Sequence, residues 1–394
     1  MTRIVIVTSS FPLHPEDANS PFVGAIARAW LDLGCHVDVV VPSHPEQGYQ
    51  WRLPNLHIHA VDYGRPRSRQ ALAMSGGGMA ANLFSFKAWS QMPALFSRML
   101  QKARALAPGA SLIHACWLGP SLVAQLAASR VSVPWGVSML GSDVDRLLAA
   151  PLNWFWRRHL RGAAFINSTS HYMVHQAEKA LRVPVAHLPL EIDLERFRPR
   201  DRKEARANLE DFPEKGLVAF ALGRWIPIKG MDFLIRLWPE VVARVPGVRL
   251  VLAGHGPEEE EYRNLIRALH MEDFIELKTF SRQEIPLVMA AADVVLVPSR
   301  REGLGIVAME AMASGRAVLA SDVGGLREVL GRSFDAQLLP SSDQGAWVEA
   351  IVKLAAESQA RDELEQGLRL RAERLFGPSM TRQALQSLLP DGDR

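Results

Sequence analysis

The sequence predicts an α/β protein built from two doubly wound domains with parallel sheets, and three observations carry that prediction. The first is the stretch from Val294 to Glu328. Val294 to Val297 is apolar and β-branched, as a buried parallel strand is. Gly303 and Gly305 then break the chain, and Ile306 to Ala313 repeats apolar residues at helical spacing up to Gly315. The second is the opening of the chain, where strand Ile4 to Val7, helix Gly24 to Leu33 and strand Val37 to Val41 read as a βαβ unit with a right-handed crossover. The third is length, because 394 residues exceed one ordinary hydrophobic core and suit two domains.

Composition narrows the class. A hydrophobic fraction of 48% and a charged fraction of 22% are those of a soluble globular protein. The two cysteines, Cys35 and Cys116, make neither a disulfide framework nor a zinc site, which fits a reducing cytoplasm. Met1 to Val7 reads as a first strand rather than a signal peptide, and no apolar run reaches the roughly twenty residues that span a bilayer. The expected location is therefore the cytoplasm. The net charge of +3 conceals an asymmetry: residues 1–200 hold 20 Lys and Arg against 12 Asp and Glu, whereas residues 201–394 hold 25 against 30. Such a basic first half is either chance variation in solvated charge or a face for an anionic partner.

In the first half, Thr8 to Pro12 leaves the first strand as a polar loop, and the absence of G-x-G-x-x-G means that nothing signals a dinucleotide. Residues 64–78, with three arginines, Pro66 and the run Gly76-Gly77-Gly78, read as a mobile loop. A helix is expected over 79–105, a strand over Leu112 to His114 and a helix over Leu118 to Ser129. His114 ends its strand on the way to the core and reads as structural. Pro151 to Arg161 holds three aromatics and three arginines, which suits either core packing or a membrane interface. Strand Ala164 to Ser168 and helix Ser170 to Ala180 follow.

In the second half, residues 200–215 read as a charged linker and Leu217 to Leu222 as the first strand of the second domain. Strand Arg249 to Ala253 ends in Gly254-His255-Gly256-Pro257, and Glu258 to Glu261 is an acidic helix start that suits the dipole. Strand Phe274 to Leu277 precedes the central strand–turn–helix. Its glycine turn offers backbone N–H groups and the positive end of a helix dipole to phosphate or sugar oxygens. Glu302 and Glu310 frame that turn. Their spacing of eight puts them just over two turns apart on one side if the helix begins near Glu302. An isolated pair so spaced is more often structural, but Glu310 lies between Met309 and Met312, where a carboxylate needs a partner. Strand Val318 to Ala320 leads to a second glycine turn, Val323-Gly324-Gly325, which would face the same crevice. Gln344 to Leu375 is largely helical, Gly377-Pro378-Ser379 breaks it, and Met380 to Leu389 forms a last helix.

The stretch Pro298 to Glu328 resembles the signature of the retaining glycosyltransferases of family 4, which have the GT-B fold. The likeness covers nearly the whole chain and is strongest from Ala219 to Leu330. Gly223-Arg224-Trp225-Ile226-Pro227-Ile228-Lys229-Gly230 is similar to the family's G-R-x-x-x-x-K-G, and residues 254–257 to its G-x-G-P. His114 to Leu118 resembles H-A-H-W-L, and residues 187–197 resemble the interdomain hinge P-N-G-V-D-x-x-x-F, with Glu191 in place of glycine. Residues 140–143 stand where relatives have H-G-S-D, so Leu140 replaces a histidine that reaches the transferred sugar. Lys278 replaces a glycine near the nucleotide base. Where relatives carry a glycine-rich loop in the first domain, only Gly24 is available.

The resemblance implies two Rossmann-like domains facing across a cleft: an acceptor domain over 1–195, joined by the C-terminal helix 378–394, and a nucleotide-sugar domain over 196–377. It implies a UDP- or GDP-linked sugar donor and a sugar, lipid-linked or small-molecule acceptor, with no nucleic acid, no metal and no cofactor. Arg224 and Lys229, with the amides of Ile306 and Val307, would hold the diphosphate; no Asp-x-Asp metal motif stands in this crevice. Glu302, with the amides of Gly303, Leu304 and Gly305, would hold the sugar, and Glu310 the ribose hydroxyls. Gly254 would let backbone approach the nucleotide, and Asp143 would bond a substrate hydroxyl or cap a helix. Configuration at the anomeric carbon would be retained, in polysaccharide or glycolipid synthesis. An epimerase or phosphorylase of the same fold, and a binding subunit that lost activity with its histidine, are the alternatives. The basic first half and the aromatic cluster imply peripheral contact with the inner face of an anionic membrane.

Overall fold

The computed structural model describes residues 2–389 apart from 18–19, 65, 67–69, 71–85, 142, 145–152, 211 and 378. Most of the loop read at 64–78 therefore lies outside the described residues, as do the first residues of the helix read from 79. The chain divides into two compact units, Met1–Glu191 with Ser379–Arg394, and Ile192–Pro378.

In the first unit the described strands are β1 (Arg3–Thr8), β2 (His36–Pro42), β3 (Leu56–Val61), β4 (Leu112–Cys116), β5 (Trp135–Met139), β6 (Phe165–Ser168) and β7 (Ala186–His187). They form one sheet in the order β3-β2-β1-β4-β5-β6-β7, and each pair is parallel. The inner strands β1, β4 and β5 are buried almost throughout because both of their faces are covered, whereas the outer strand β3 exposes His57 and Ala60. One face packs Ile4, Ile6, Val37, Val39 and Val41 against Ile26, Ala27 and Trp30 of helix Pro21–Asp32. Leu385 and Leu389 join the same core, and Thr381 Oγ1 donates to Pro189 O at 2.7 Å, so helix Met380–Gln386 completes the first unit. Helix Phe86–Leu106 carries Pro93 within it, and helix His171–Leu181 starts where Ser170 Oγ accepts Met173 N at 3.1 Å.

In the second unit β8 (Val218–Leu222), β9 (Arg249–Ala253), β10 (Ile275–Lys278), β11 (Val294–Val297), β12 (Ala317–Ser321) and β13 (Leu338–Leu339) form a parallel sheet in the order β10-β9-β8-β11-β12-β13. Alternation along β8 shows why it must be apolar throughout. Val218 and Phe220 enter one core with Ala308, Met309 and Met312, while Ala219 and Ala221 enter another with Trp238, Trp347 and Ile351.

The stretch read as a linker at 200–215 is instead part of this unit. Helix Arg202–Ala207 starts at Asp201, whose Oδ1 accepts Glu204 N at 2.8 Å. It turns Arg206 inward, where the guanidinium donates to Asp293 Oδ2 at 2.6 Å and to Ala291 O at 2.9 Å. Val218 N donates to the same carboxylate oxygen at 2.7 Å, and Arg202 lies 3.2 Å from its other oxygen. Arg202 also bonds Glu365 at 2.7 Å, and the buried Arg316 lies 3.5 Å from the second oxygen of Glu365. Charge density in sequence resembles a solvated linker, but here the charges neutralise one another beneath the sheet's amino end.

Removing one partner of such a network leaves a buried charge uncompensated. Asp293→Ala should destabilise the second unit by about 3–5 kcal/mol. Chemical denaturation of the full chain reads this as an earlier unfolding midpoint; an unchanged midpoint would show that the network carries no stability.

Candidate functional site

The second unit's candidate residues converge at the carboxyl ends of its strands, the edge at which parallel α/β sheets bind ligands. The loops after β8 and β9 are joined first. Gly223 N donates to Ala253 O at 3.0 Å and Trp225 N to His255 O at 2.9 Å, with Trp225 buried beneath. Gly254 has φ 146°, and a Cβ there would overlap Gly223 O. The closest approach that Gly254 permits is thus to the neighbouring loop. Its own N–H donates to Lys278 O, and its carbonyl accepts Thr279 Oγ1, both at 2.9 Å.

The loop after β8 is then fixed to the end of β11. Gly230 is left-handed at φ 69°, and any Cβ would overlap Pro298 O. Arg300 N donates to Ile228 O at 2.8 Å, and the Arg300 guanidinium grips Asp232 at 2.6 and 2.9 Å. These contacts hold Lys229, whose Nζ lies 2.7 Å from Glu302 Oε2. Ser299 Oγ donates to the same carboxylate oxygen at 3.0 Å. Arg224, at the start of the loop, is exposed.

The expectation that Glu302 and Glu310 lie along one side of a continuous helix is corrected. The helix is Ile306–Ala313, and Gly305 precedes it in the left-handed conformation, so Glu302 stands outside it. The spacing instead places the glycine turn between the two carboxylates. The first turn of a helix has amide groups with no intrahelical acceptor, so the N–H groups of Ile306 and Val307 point outward from this end. The second glycine turn meets the first: Gly325 N donates to Glu302 O at 3.1 Å. β11 and β12 are neighbours, which brings the two turns together.

Glu310 is half-buried, and its carboxyl is pushed up to about 7 by withdrawal from water, against the pull of Arg282 and Arg196. Those two arginines are the electrostatic partners that the apolar helix around it demanded. They carried no signal in the sequence: Arg282 lies outside any motif, and Arg196 fills an unspecified position of the hinge motif. Ser299 and Arg300, within the signature stretch, and Asp232 steady the Lys229–Glu302 pair, but nothing in the sequence assigned them that role.

The remaining candidates lie in the first unit. Gly24 sits inside helix Pro21–Asp32 rather than in a loop, buried against the side chains of Pro12 and Trp51, so packing accounts for its lack of a side chain. Asp143 is buried. Its Oδ1 accepts Gly141 N at 3.1 Å and Val144 N at 3.2 Å, which closes the turn after β5 and is not the N2 or N3 bond of a helix cap. Burial pushes this carboxyl up to about 6, backbone N–H groups, Leu118's among them, pull against that, and Oδ2 is buried without a hydrogen-bond partner among the described residues. Leu140 packs against the first unit's core. His114 is structural: it accepts from Trp30 Nε1 at 3.0 Å, lies 2.7 Å from Ser138 Oγ, and is held neutral by burial, pushed down to about 3.

Within the aromatic cluster, helix Asn153–Leu160 turns two rings outward, with Trp154 64% and Phe155 37% exposed. Arg157 is tied to Ala180 O at 3.1 and 3.2 Å, and His159 bonds Ser121 and Gln125, both at 2.8 Å. The helix is thus anchored by its polar side chains while two aromatic rings meet solvent. Among the described residues, no helix is long and apolar enough to cross a membrane.

Comparison with known proteins agrees with this geometry. Residues 20–189 match the family described as glycosyl transferase 4-like domain, and residues 201–371 match glycosyl transferases group 1. A D-inositol 3-phosphate glycosyltransferase of Saccharomonospora viridis is 38% identical over 193 residues, 46% of this chain and 44% of that protein. One of Mycobacterium marinum is 37% identical over 185 residues, 45% of this chain and 38% of that protein. The matched region thus spans less than half the length of these curated relatives. Among solved structures, sucrose-phosphate synthase from Thermosynechococcus elongatus superposes with a TM-score of 0.79 at 22% identity, covering 98% of both chains. Anabaena HepE in complex with UDP-glucose superposes with a TM-score of 0.74 at 16% identity, covering 98% of this chain and 99% of that one. From the two parallel sheets, the glycine turns and these matches along both units, the chain belongs to the GT4-like glycosyltransferases and has the GT-B fold.

Proposed function

We propose that the protein transfers a sugar from a nucleotide diphosphate donor to an acceptor hydroxyl with retention of anomeric configuration. The observation that carries this reading is the Lys229–Glu302 pair at the end of the strand that leads, through the glycine turn, to the helix N-terminus at Ile306 and Val307. A cation, an acceptor carboxylate and a helix N-terminus at one point suit a ligand that is anionic at one end and hydroxylated at the other. On donor binding the diphosphate takes over Lys229 together with Arg224 and the Ile306 and Val307 amides. Glu302, released from the lysine, accepts hydrogen bonds from the sugar hydroxyls with the Gly303, Leu304 and Gly305 amides beside it. Glu310 accepts from the ribose.

The bond from the anomeric carbon to the diphosphate oxygen breaks as the acceptor oxygen attacks the same face. Negative charge grows on the diphosphate, and fixed cations and amides stabilise it without solvent reorganisation. The leaving phosphate oxygen takes the acceptor's proton. UDP is the nucleotide to test first, because HepE is solved with UDP-glucose, with GDP second. The D-inositol 3-phosphate glycosyltransferases point to a phosphorylated polyol among the acceptors to test, beside a lipid-linked sugar. Leu140 favours one competing reading, a nucleotide-sugar-binding subunit without turnover; release of nucleotide that depends on acceptor separates the two, and an epimerase needs no acceptor at all.

Arg224→Ala and Lys229→Ala should each weaken donor binding and slow transfer, and EDTA should leave transfer intact. Activity lost to the chelator and restored by manganese would overturn this account of charge stabilisation. Glu302→Gln should lower turnover far more than nucleotide affinity. Glu310→Gln should lose nucleotide affinity by about 1–3 kcal/mol.

Glu310 also sets a pH dependence. The ionised carboxylate is the form that accepts from ribose, and with a value near 7 it is mostly protonated at pH 6 and mostly ionised at pH 8. Nucleotide affinity should therefore rise by about tenfold from pH 6 to pH 8. Glu310→Gln should flatten that rise; a profile unchanged by the substitution would assign the titration to another group.

A second reading concerns location. The first unit is basic, and Trp154 and Phe155 stand out from an anchored helix, as residues that enter a lipid interface do. We infer that this unit rests on an anionic membrane at the cytoplasmic face, with each lysine or arginine near the surface worth about 1 kcal/mol. Vesicle co-sedimentation should show binding to anionic lipid at low salt, release at high salt, and weakened binding in Trp154→Ala. Equal failure to bind anionic and neutral vesicles at low salt would remove this reading.

A further inference from the structure

At the amino ends of β2 and β3, on the opposite edge of the first unit's sheet from Asp143, four ionisable side chains gather on one face. His36 and Asp38 are two apart on β2, and His57 and His59 are two apart on β3, so each pair projects to one side. The register sets Asp38 directly beside His57, which brings the two pairs together. His36 Nε2 and His57 Nδ1 are 2.9 Å apart, and their rings stack with centroids 4.7 Å apart. Ligand atoms of His36, Asp38 and His57 all lie within 4.8 Å of one another.

We propose that His36, Asp38 and His57 form a binding site for a divalent transition-metal ion of the zinc, nickel or copper type. Bonds of about 2.0–2.1 Å from nitrogen to such an ion put two ligating nitrogens roughly 2.9–3.4 Å apart for angles between square and tetrahedral. The imidazole separation is already at the lower end of that span. Two imidazoles and one carboxylate make a three-ligand set that leaves a position for water. Magnesium and calcium prefer an all-oxygen shell and are disfavoured here.

The surroundings are those of a supported ligand. Asp38 is buried at the strand end, with Arg3 Nε donating to its Oδ2 at 2.7 Å and His59 Nε2 2.7 Å from its Oδ1. Each carboxylate oxygen has a second lone pair, so these bonds orient Asp38 without exhausting it. His57 is exposed, which gives an ion a path from solvent. β3 is the outermost strand of its sheet, so an ion held here would clip that edge to β2. The site lies at the amino ends of β2 and β3, the edge of the first unit's sheet opposite to Asp143, so its role is structural rather than catalytic.

The test uses the full chain stripped of metal with a chelator and desalted, then titrated with zinc chloride by calorimetry. The expected result is one zinc bound at micromolar or lower concentration, with a rise in melting temperature as zinc saturates the site. His57→Ala and the double variant His36→Ala with His57→Ala should lose that equivalent, while melting like the wild type without zinc because His57 is exposed. His59→Ala should bind about tenfold more weakly, since it removes support and not a ligand. Wild-type protein that takes up no zinc, or a double variant that binds the same equivalent as the wild type, would overturn the site and leave the imidazoles as a hydrogen-bonded pair.

Discussion

The ion pair between Lys229 and Glu302 is the contact to which the second unit's loops are fitted. It spans the ends of β8 and β11, so it forms only if the sheet places those strands side by side. The bond across Gly223, the overlap that forbids a side chain at Gly230 and the Arg300–Asp232 clasp all bring the lysine to one place. Ser299 and Gly325 do the same for the glutamate, one bonding its side chain and the other its backbone. A pair so placed holds the two charges in a neutralised state.

Apolar runs, glycine turns and the spacing of charged residues were legible in the chain because each has a local cause. β8, β11 and β12 read as strands since both of their faces are buried and polar residues have no place in them. Helix Ile306–Ala313 was legible from its period and its bounding glycines. Contacts set by strand order were not. Nothing in Lys229 or Glu302 states that their strands are neighbours, and the proximity of Arg282 and Arg196 to Glu310 has no trace in local sequence. The charged stretch at 200–215 was misread for a related reason: composition records charge but not whether a partner waits 87 residues away, as Asp293 does for Arg206. His36, Asp38, His57 and His59 drew no notice because each pair looks like ordinary strand polarity until the register sets them together.

Buried charge does different work in the two units. Beneath the second sheet, Arg202, Arg206, Arg316, Asp293 and Glu365 form a network in which each charge meets an opposite one. In the first unit Asp143 is held by backbone donors, and its buried second oxygen has no hydrogen-bond partner among the described residues. The difference follows from what each must do. A network under a sheet fixes helix Arg202–Ala207 in register, while a lone carboxyl behind a turn shapes the backbone next to Leu140.

The return of residues 380–389 into the first unit's core bears on how the chain is made. Leu385 and Leu389 pack with Ile4, Ile26 and Trp30, so that core is complete only after residue 389 has left the ribosome. The second unit is contiguous, from Ile192 to Pro378, and all its strands are available before those last residues appear. During synthesis the half begun first is therefore finished last, and it waits with an apolar groove open beside helix Pro21–Asp32 while the later half folds. Such transiently exposed surface is where nascent chains aggregate or recruit chaperones. Truncation within the final ten residues of that core would leave the groove open in the mature protein as well.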